Sequence, residues 1–512
     1  MKFYITTPIY YINDIVHIGH SYTTIIADIM ARWKRLNSFD VFFLTGTDEH
    51  GSKIATAAKK KGKMPLIFCN DMSLKFKEAW NLLNISYTDF IRTTEKRHFS
   101  AVEKIVQILF DKNLIFKKKY EGLYCVGCEK FYLPKDLDEE GYCVFHKTKP
   151  LIQSEENYFF KLSTFQNLIL ERITDPCHEE YIEIYPEERK NEIIGKLKIG
   201  LENISLSRNI VEWGIPLPFD KKQTVYVWID ALINYITGIG YPKNMTEFQK
   251  YWPVNIHLMA KDILWFHAII WPAILMSVGF SLPKKLCVHG FFTLNGNKMS
   301  KSLGNVISPQ ELVSKYGVDA TRYLLVTIMP FGHDGDISWE KLTLKYNIDL
   351  ANNLGNLISR IVKMAGKYFN FKVPQANFDL KLVKKIVTLL REDFIINMNS
   401  MQLHKAAQDL QNAITLVNKQ IEYDAPWKIS KTHVHELASY IFSYLQAVDI
   451  IALHLLPFIP VSAEKIWHTM GASNDINKIA KKYFTDFIIP KSGFSVSDSQ
   501  LQDTEGLFAR IV

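Results

Sequence analysis

Cysteine is scarce in this chain, with six residues in a length of 512. So sparse a set excludes the disulfide framework of a small secreted protein. Three of the six, Cys125, Cys128 and Cys143, lie close together, which is typical of a metal site in a reducing compartment. The chain also lacks an export signal, because residues 1–5 read directly as a buried strand with no charged, apolar and cleavage regions before it. We therefore expect a cytoplasmic protein.

A strong charge imbalance is also lacking, and so is a clear membrane span. Residues 263–282 are apolar and long enough to cross a membrane, but they include His267 and Pro272 and follow a strand-like segment. A helix buried against a parallel sheet is therefore favoured over a membrane span, and we expect no membrane partner. The 61 Lys and Arg residues against 53 Asp and Glu leave a net charge of +8, which suits an anionic partner without the density of a dedicated nucleic-acid-binding protein.

The order of strand and helix patterns predicts four segments. Residues 1–113 alternate strand and helix in the doubly wound manner, and 221–345 resume the alternation with a strand predicted at 224–228. Between them, 114–220 read as an insertion that carries the cysteine cluster. Residues 346–512 have long helical periods and few turn signals, which indicates a helical bundle. The predicted fold is α/β, with a Rossmann-type parallel sheet split by the insertion and an all-α region after it.

A short histidine motif follows the first predicted strand, where the first helix starts: His17-Ile18-Gly19-His20. Free backbone N–H groups and the positive end of the helix dipole favour phosphate there, and two imidazoles could hold the phosphates of ATP. Gly19 leaves room for a nucleotide to approach the backbone. On its own the tetrapeptide is weak evidence, because histidines at a helix start are about equally often surface or capping residues.

A basic pentapeptide follows a predicted hairpin turn and includes Lys298, Ser300 and Lys301. Glycines on both sides indicate a loop that presents two ammonium groups. Such cations suit the attack of a carboxylate on the α-phosphate of ATP, which builds negative charge. The alternative is a solvated basic loop, which an isolated Lys-x-x-Lys would favour. The pairing with the histidine motif favours the catalytic interpretation.

The cysteine cluster has metal-ligand spacing. Cys125 and Cys128 are separated by two residues, fourteen residues follow, and Cys143 and His146 are again separated by two. Three thiolates and one imidazole form a soft tetrahedral set suited to a closed, structural Zn²⁺ site, one per chain. The alternative, three unrelated buried thiols, must explain both two-residue gaps by accident. Zinc is therefore the predicted occupant.

The histidine motif at 17–20 reads HIGH in one-letter code, and the basic pentapeptide at 298–302 reads KMSKS. A chain with these two motifs in this order resembles the class I aminoacyl-tRNA synthetases. Within that class the chain resembles the methionyl-tRNA synthetases over nearly its whole length, through the strings at 7–11, 45–51, 213–218 and 334–339. The single Cys3His knuckle is similar to one bacterial branch. The resemblance implies activation of methionine by ATP with Mg²⁺, transfer to tRNA(Met), both initiator and elongator, and an anticodon-binding bundle. It also implies a monomer, because no OB-type dimerisation domain follows the common core.

The resemblance also implies a set of site residues. The catalytic residues are His17, His20, Lys298 and Lys301. The nucleotide-binding residues are His17, Gly19, His20, Asp262, Gly290, Lys298, Ser300 and Lys301. The methionine pocket comprises Ile9, Tyr11, Asp48, Trp228, Ala231, Leu232, Tyr235, Ile263 and His267, and the anticodon contacts are Asn356, Arg360 and Trp427.

Blander interpretations of several of these residues stay open at this point. Trp228, Tyr235 and Ile263 could be ordinary core residues, and Asn356 with Arg360 could be a surface pair. Two rival functions are also open. A class I synthetase for another aliphatic amino acid would normally carry a large editing insertion, for which 114–220 leaves little room. A catalytically silent RNA-binding paralog would usually have lost one signature motif, and both are intact here.

Overall fold

The computed structural model describes residues 1–13, 15–125, 130–132, 134–145, 147–209, 211–298, 306–374, 376, 380–429, 433–486, 499–502 and 507–511. Four of the predicted site residues, Cys128, His146, Ser300 and Lys301, lie outside these ranges. For Lys298 the backbone is described but the side chain is not.

The strands are β1 (Lys2–Tyr11), β2 (Asp40–Asp48), β3 (Asp89–Arg92), β4 (Ile115–Cys125), β5 (Lys130–Tyr132), β6 (Leu151–Phe160), β7 (Glu183–Tyr185), β8 (Ile204–Ser205), β9 (Ser207–Arg208), β10 (Thr224–Val225), β11 (Ile256–Ala260), β12 (Lys285–His289), β13 (Phe292–Leu294), β14 (Asn297–Lys298) and β15 (Gly335–Ile337).

The helices are α1 (Ile18–Leu36), α2 (Ser52–Lys60), α3 (Pro65–Leu82), α4 (Lys96–Asp111), α5 (Gln166–Thr174), α6 (Glu187–Ile199), α7 (Val227–Thr237), α8 (Met245–Tyr251), α9 (Trp271–Val278), α10 (Pro309–Tyr316), α11 (Val318–Thr327), α12 (Trp339–Lys345), α13 (Asn356–Phe369), α14 (Leu380–Leu389), α15 (Ile395–Asn399), α16 (Leu403–Asp424), α17 (Val434–Leu455), α18 (Pro460–Thr469) and α19 (Ile476–Asp486). Short 3-10 turns occupy Pro134–Asp136, Leu162–Phe165, Lys261–Ile263 and Pro426–Lys428, and π-helical turns occupy Phe266–Ile270, Tyr346–Gly355 and Leu390–Phe394.

A six-stranded parallel sheet forms the centre of the first two-thirds of the chain, in the order β3-β2-β1-β11-β12-β7. The predicted split α/β sheet is therefore confirmed. Its two halves meet where β1 pairs with β11, with Ile5 beside Ile256. Because all strands are parallel, their carboxyl ends share one edge, and ligands of open α/β sheets bind at that edge.

The segment 114–220 contributes to two sheets. Strands β4, β5, β6 and β8 form a separate antiparallel sheet in the order β5-β4-β6-β8. After α5, the chain returns to the main sheet, where β7 pairs in parallel with β12 and Ile184 lies beside Leu286. The segment therefore supplies an edge strand of the Rossmann-type sheet as well as the small sheet that carries Cys125 and the cysteine cluster.

The prediction of a strand at 224–228 is wrong for most of these residues. Only Thr224 and Val225 are extended, and they pair antiparallel with β9 outside the main sheet. Helix α7 begins at Val227 instead, and nearly all of its residues are buried. Valine, tyrosine and tryptophan favour strands, but burial in the tertiary structure overrides that preference. The hairpin turn at Asn295 and Gly296 is confirmed, with φ of +50° and +77° between β13 and β14.

The second part of the chain is a helical bundle built around α17. By length and composition this helix could cross a membrane, with a mean hydropathy of 1.3, but 89% of its most apolar window is buried inside the protein. Such burial is what the core helix of a bundle shows. The run 263–282, which the sequence analysis weighed instead, forms the Lys261–Ile263 and Phe266–Ile270 turns and α9, whose apolar residues are largely buried in the second hydrophobic cluster.

A buried ion pair joins the bundle to the catalytic region. Arg322 of α11 lies 2.7 Å from the Asp28 carboxylate of α1, and both side chains are fully buried. The same guanidinium donates to the carbonyls of Phe458 at 3.0 Å and Pro457 at 3.1 Å, which lie just after α17, and to that of Leu83 at 3.1 Å. One side chain therefore connects the helix that follows the histidine motif with the anticodon-side bundle.

Candidate active site

The predicted methionine residues of the N-terminal half lie at the carboxyl ends of β1 and β2. Tyr11 pairs with Asp48 and Ile9 with Gly46 in the register of these strands. Asp48 is 7% exposed. A side chain at Gly46 would place its Cβ 2.0 Å from the carbonyl oxygen of Ile91, so the backbone of β3 requires glycine there. The packing that fixes Asp48 at the sheet edge is therefore tight.

Helix α7 presents a second set of predicted residues on one face. Ala231 and Leu232 lie three and four residues after Trp228, and Tyr235 lies four and three residues after them, so the four residues line one side of the helix. Trp228, Leu232 and Tyr235 belong to the same hydrophobic cluster as Ile9, Tyr11 and Ile263. Predicted residues from both halves therefore pack in one large hydrophobic cluster.

His267 closes this group through two hydrogen bonds. Its Nδ1 lies 3.0 Å from the carbonyl oxygen of Ile263, so Nδ1 donates, and its Nε2 lies 2.6 Å from the Tyr235 hydroxyl and accepts. Burial lowers the pKa of His267 to about 4. The imidazole is therefore neutral at pH 7 and has a defined tautomer.

Phe266 packs against a predicted site residue, and the sequence reasoning did not single it out. Its ring stacks on Trp228 with centroids 3.9 Å apart and planes at 10°. The two residues are far apart in sequence, so no periodicity connects them. The only sequence signal is that Phe266 immediately precedes the predicted residue His267 in the same turn.

The histidine motif caps α1, which was one of its open interpretations. His17 has an extended backbone, its Nδ1 accepts from the Gly19 N–H at 3.1 Å, and its own N–H donates to His20 Nδ1 at 3.4 Å. The two rings stack with centroids 3.8 Å apart. Because both Nδ1 atoms accept, each neutral ring carries its proton on Nε2, which is a hydrogen-bond donor.

Burial keeps both histidines neutral. It lowers the pKa of His17 to about 4 and that of His20 well below its usual value, with the neighbouring His17 adding to the second shift. The packing also favours glycine at position 19, because a Cβ there would lie 3.0 Å from the Cε1 atom of His17. The arrangement offers uncharged donors at a helix N-terminus, where backbone N–H groups favour an anion.

The segment that returns from the KMSKS pentapeptide is joined to the histidine motif. The N–H of Ile18 donates to the carbonyl of Ile307 at 3.1 Å. Strand β14 ends at Lys298, and residues 299–305 lie outside the described ranges. The chain that follows the pentapeptide therefore contacts the start of α1 at Ile307, although the positions of Ser300 and Lys301 are not described.

The remaining nucleotide-side residues lie after β11 and β12. Asp262 is exposed on the turn that follows β11. His289 is a satisfied buried histidine, 2.7 Å from the Thr23 hydroxyl of α1, and burial lowers its pKa to about 4. A Cβ on Gly290 would lie 2.3 Å from the carbonyl carbon of His333. Gly290 is therefore needed for the close approach of two backbone segments beside α1.

Two of the four predicted zinc ligands are described, and both are buried. Cys125 is 1% and Cys143 0% exposed, and they share a small cluster with Tyr132 and Leu137. The N–H of Lys147 donates to the carbonyl of Cys143 at 2.8 Å. Two buried thiols in so small a cluster fit a soft metal ion. Cys128 and His146 lie outside the described residues.

The predicted anticodon residues lie on the bundle surface. Asn356 is exposed at the start of α13, and Trp427 is 49% exposed on the 3-10 turn after α16. Arg360 of α13 approaches α16, where its Nη1 lies 3.4 Å from the Asn418 side-chain oxygen and 3.6 Å from the Glu422 carboxylate. Arg360 therefore forms its ion pair with Glu422 of α16, and the contact brings α13 beside the helix that leads to Trp427.

Family models match almost the whole chain. A model described as tRNA synthetases class I (M) matches residues 3–139 and 132–362, and one described as the anticodon binding domain of methionyl tRNA ligase matches 373–504. The chain belongs to the methionyl-tRNA synthetase family. This membership makes the synthetase a methionine–tRNA ligase, and it excludes the rival ligase for another aliphatic amino acid.

Relatives and solved structures agree with this assignment. The synthetase is 42% identical to the methionine–tRNA ligase of Thermotoga maritima over 97% of this chain and 79% of that one. It is 40% identical to the Helicobacter pylori enzyme over 100% of this chain and 77% of that one. The Mycobacterium tuberculosis methionyl-tRNA synthetase in complex with methionyl-adenylate superimposes with a TM-score of 0.92, at 34% identity and full coverage of both chains.

Proposed function

We propose that the synthetase charges tRNA(Met), both initiator and elongator, in two steps at the edge formed by β1, β2 and α7. A methionine carboxylate oxygen attacks the α-phosphorus of ATP, and pyrophosphate leaves. A hydroxyl of the terminal adenosine of the tRNA then attacks the methionyl carbonyl, and AMP leaves. The observation that carries this proposal is the packing of predicted methionine residues from both sheet halves in one hydrophobic cluster, with the capped N-terminus of α1 following β1 in the chain.

His17 and His20 bind the ATP phosphates as neutral donors. Their low pKa values and accepting Nδ1 atoms support donation from Nε2. Lys298 and Lys301 supply the positive charge that stabilises the transition state, together with Mg²⁺ bound to ATP. Gly290 and Asp262 line the nucleotide side, where parallel strands end.

The methionine side chain lies between the α7 face and His267. Aromatic edges and one polar group suit a polarizable, unbranched thioether, and the Tyr235 hydroxyl is held toward His267 at 2.6 Å. Asp48 pairs with the substrate ammonium from the end of β2. The stack of Phe266 on Trp228 forms one wall of this pocket.

A structural zinc ion is held by Cys125, Cys128, Cys143 and His146. A closed four-ligand set keeps no open position for water, so the ion stabilises the small sheet of β4, β5, β6 and β8. We expect one equivalent of zinc per chain by atomic absorption, and release of zinc with loss of protection in 120–160 after treatment with a chelator. Retention of zinc in Cys143→Ala at one equivalent would contradict this ligand set.

Asn356, Arg360 and Trp427 read the anticodon of tRNA(Met), by hydrogen bonds to unstacked bases and by stacking on the half-exposed indole. The synthetase acts in the cytoplasm as a monomer. Sedimentation that shows a dimer independent of protein concentration would contradict the monomer.

The decisive experiment is ATP–pyrophosphate exchange with each of the twenty amino acids. We expect methionine to support the fastest exchange, and we expect Lys301→Ala to lower the rate far more than the affinity for methionine. Lys250→Ala is a matched control, because Lys250 forms an exposed pair with Asp40 at the amino end of β2, the edge of the sheet opposite the site. Exchange supported best by leucine or valine, or an unchanged rate in Lys301→Ala, would overturn the proposal.

A further inference from the structure

Three ionisable side chains meet in the interior behind α7. His50 Nδ1 lies 2.6 Å from one carboxylate oxygen of Asp230, and His98 Nε2 lies 2.7 Å from the other. Their side chains are 3%, 0% and 0% exposed for His50, His98 and Asp230. A carboxylate can only accept hydrogen bonds, so both imidazoles donate to it. The mechanism described above uses none of these three groups.

This cluster connects three elements around the amino-acid pocket. His50 follows Asp48 by two residues, so it belongs to the segment that leaves the end of β2. His98 lies on α4, and Asp230 lies on α7, two residues after Trp228. The cluster therefore holds the backbone beside the ammonium partner and the helix that lines the side-chain pocket at a defined separation.

Asp230 lies on the side of α7 that faces away from the pocket. A helix turns through about 100° per residue, which places Asp230 about 200° from Trp228. A second contact lies two turns later on the same side, where His98 Nδ1 is 3.2 Å from the Thr237 hydroxyl. Two polar contacts on one side of a helix whose other contacts are mostly apolar and non-directional restrict its rotation about the axis.

Electrostatics support an ionised carboxylate in the cluster. Burial opposes ionisation of Asp230, but the charge and hydrogen bond of His50, followed by those of His98, outweigh it and lower the pKa to about 2. Removal of the carboxylate would leave two buried imidazole donors without their acceptor, and leaving such groups unsatisfied is costly.

We propose that Asp230 is a positioning residue for methionine specificity: through His50 and His98 it fixes the distance between Asp48 and the Trp228 face of α7. The inference rests on the proposed methionine pocket. Methionine must reach from the ammonium partner to the α7 face, so its binding senses that distance. ATP binds beyond this span and does not.

The principal test is Asp230→Asn, measured by ATP–pyrophosphate exchange with the full chain. An amide can accept at its oxygen but not at its nitrogen, so one imidazole loses its acceptor. We expect the KM for methionine to rise by about tenfold or more, since displacements near 1 Å at a binding site have effects up to about a hundredfold. The KM for ATP should change by less than about twofold.

Asp28→Asn is the matched control. Asp28 is also a fully buried carboxylate that binds a cation, Arg322, but it lies at the junction with the bundle. We expect a comparable drop in thermal stability in both variants and an increase in the methionine KM only in Asp230→Asn. Equal increases of the methionine KM in the two variants, or no increase in Asp230→Asn, would overturn the inference.

Variants of His50 keep the test decisive if Asp230→Asn does not fold. The side-chain amide nitrogen of asparagine occupies the place of Nδ1, so His50→Asn retains the donor to Asp230, whereas His50→Ala removes it. We expect a raised methionine KM in His50→Ala and a near-native value in His50→Asn. Equal KM values in the two variants would count against the positioning role.

Failure of the inference and failure of the proposed function give different results. If wild-type exchange is fastest with another amino acid, the proposed function fails before any variant is measured. If wild-type exchange is fastest with methionine and the methionine KM of Asp230→Asn is native, the pocket assignment stands and the positioning role is wrong.

Discussion

The buried guanidinium of Arg322 allows a quantitative prediction about the junction between the two parts of the molecule. Arg322→Met keeps most of the side-chain volume but removes every donor. The carbonyls of Leu83, Pro457 and Phe458 each lose an N–H at 3.0 or 3.1 Å, and the Asp28 carboxylate loses a cation at 2.7 Å. None of these acceptors can turn to bulk water without a shift of the backbone.

The size of the effect follows from what the variant leaves behind. Breaking a buried ion pair from one side costs about 3–5 kcal/mol, and an unsatisfied buried acceptor costs about 1–3 kcal/mol. Asp28 retains Arg32 at 2.7 Å and the Ser86 N–H at 2.7 Å, so its own loss is reduced. We therefore expect a total loss of about 3–5 kcal/mol in the free energy of local opening, with Arg322→Lys intermediate because lysine restores the charge but not the fork of donors.

Hydrogen exchange is the appropriate assay, because a chain of this length need not unfold in one step. The amide of Ser462, which donates to Asp319 at 2.5 Å beside the junction, is a suitable probe. Arg360→Met is the matched control, since its pair with Glu422 is partly exposed to solvent and should contribute less than about 1 kcal/mol. Protection of Ser462 that is equal in Arg322→Met and Arg360→Met would refute the reasoning.

Three further predictions concern single positions. Gly290→Ala should lower thermal stability and raise the KM for ATP, because the new Cβ would lie 2.3 Å from the backbone of His333, whereas Gly195→Ala, which meets nothing within 4 Å, should change neither. Burial lowers the pKa of His454 from 6.5 to about 4, so the unfolded chain binds more protons between these values and stability should fall as the pH drops through that window, by up to about 1.4 kcal/mol per pH unit. Denaturation at pH 7 and pH 5 should show a smaller difference in His454→Gln, and an unchanged difference would contradict the burial argument. Trp427→Ala should reduce kcat/KM for tRNA(Met) by about tenfold or more while leaving pyrophosphate exchange native, and equal losses in both assays would exclude an anticodon role.

Local patterns predicted those parts of the fold that depend on local chemistry. The start of the first helix was expected at the histidine motif, and the hairpin at 295–296 from the residues that tolerate positive φ. The strand predicted at 224–228 was wrong because the packing around α7, rather than the intrinsic preference of its residues, decides the structure. The apolar helix α17 was not singled out as a possible span, although its composition allows one.

The sequence predicted only part of the candidate site, because several of its contacts join residues that are distant in the chain. Motifs that are contiguous, such as 17–20, could be recognised by their strings. The stack of Phe266 on Trp228 and the cluster around Asp230 join residues that are far apart in the chain and share no period. Tautomers and pKa directions, such as those of His17 and His267, depend on burial and partners that only the folded chain supplies.

The position of β1 in the centre of the main sheet has a consequence for biosynthesis. One side of β1 pairs with β2, which follows within 50 residues, but the other side pairs with β11, where Thr6 lies opposite His257 at a separation of 251 residues. At about 5–20 residues per second, a ribosome needs roughly 10–50 s to supply that partner. During this interval the apolar edge of β1 is an unpaired strand, which is the kind of surface that chaperones cover and that aggregates when they do not.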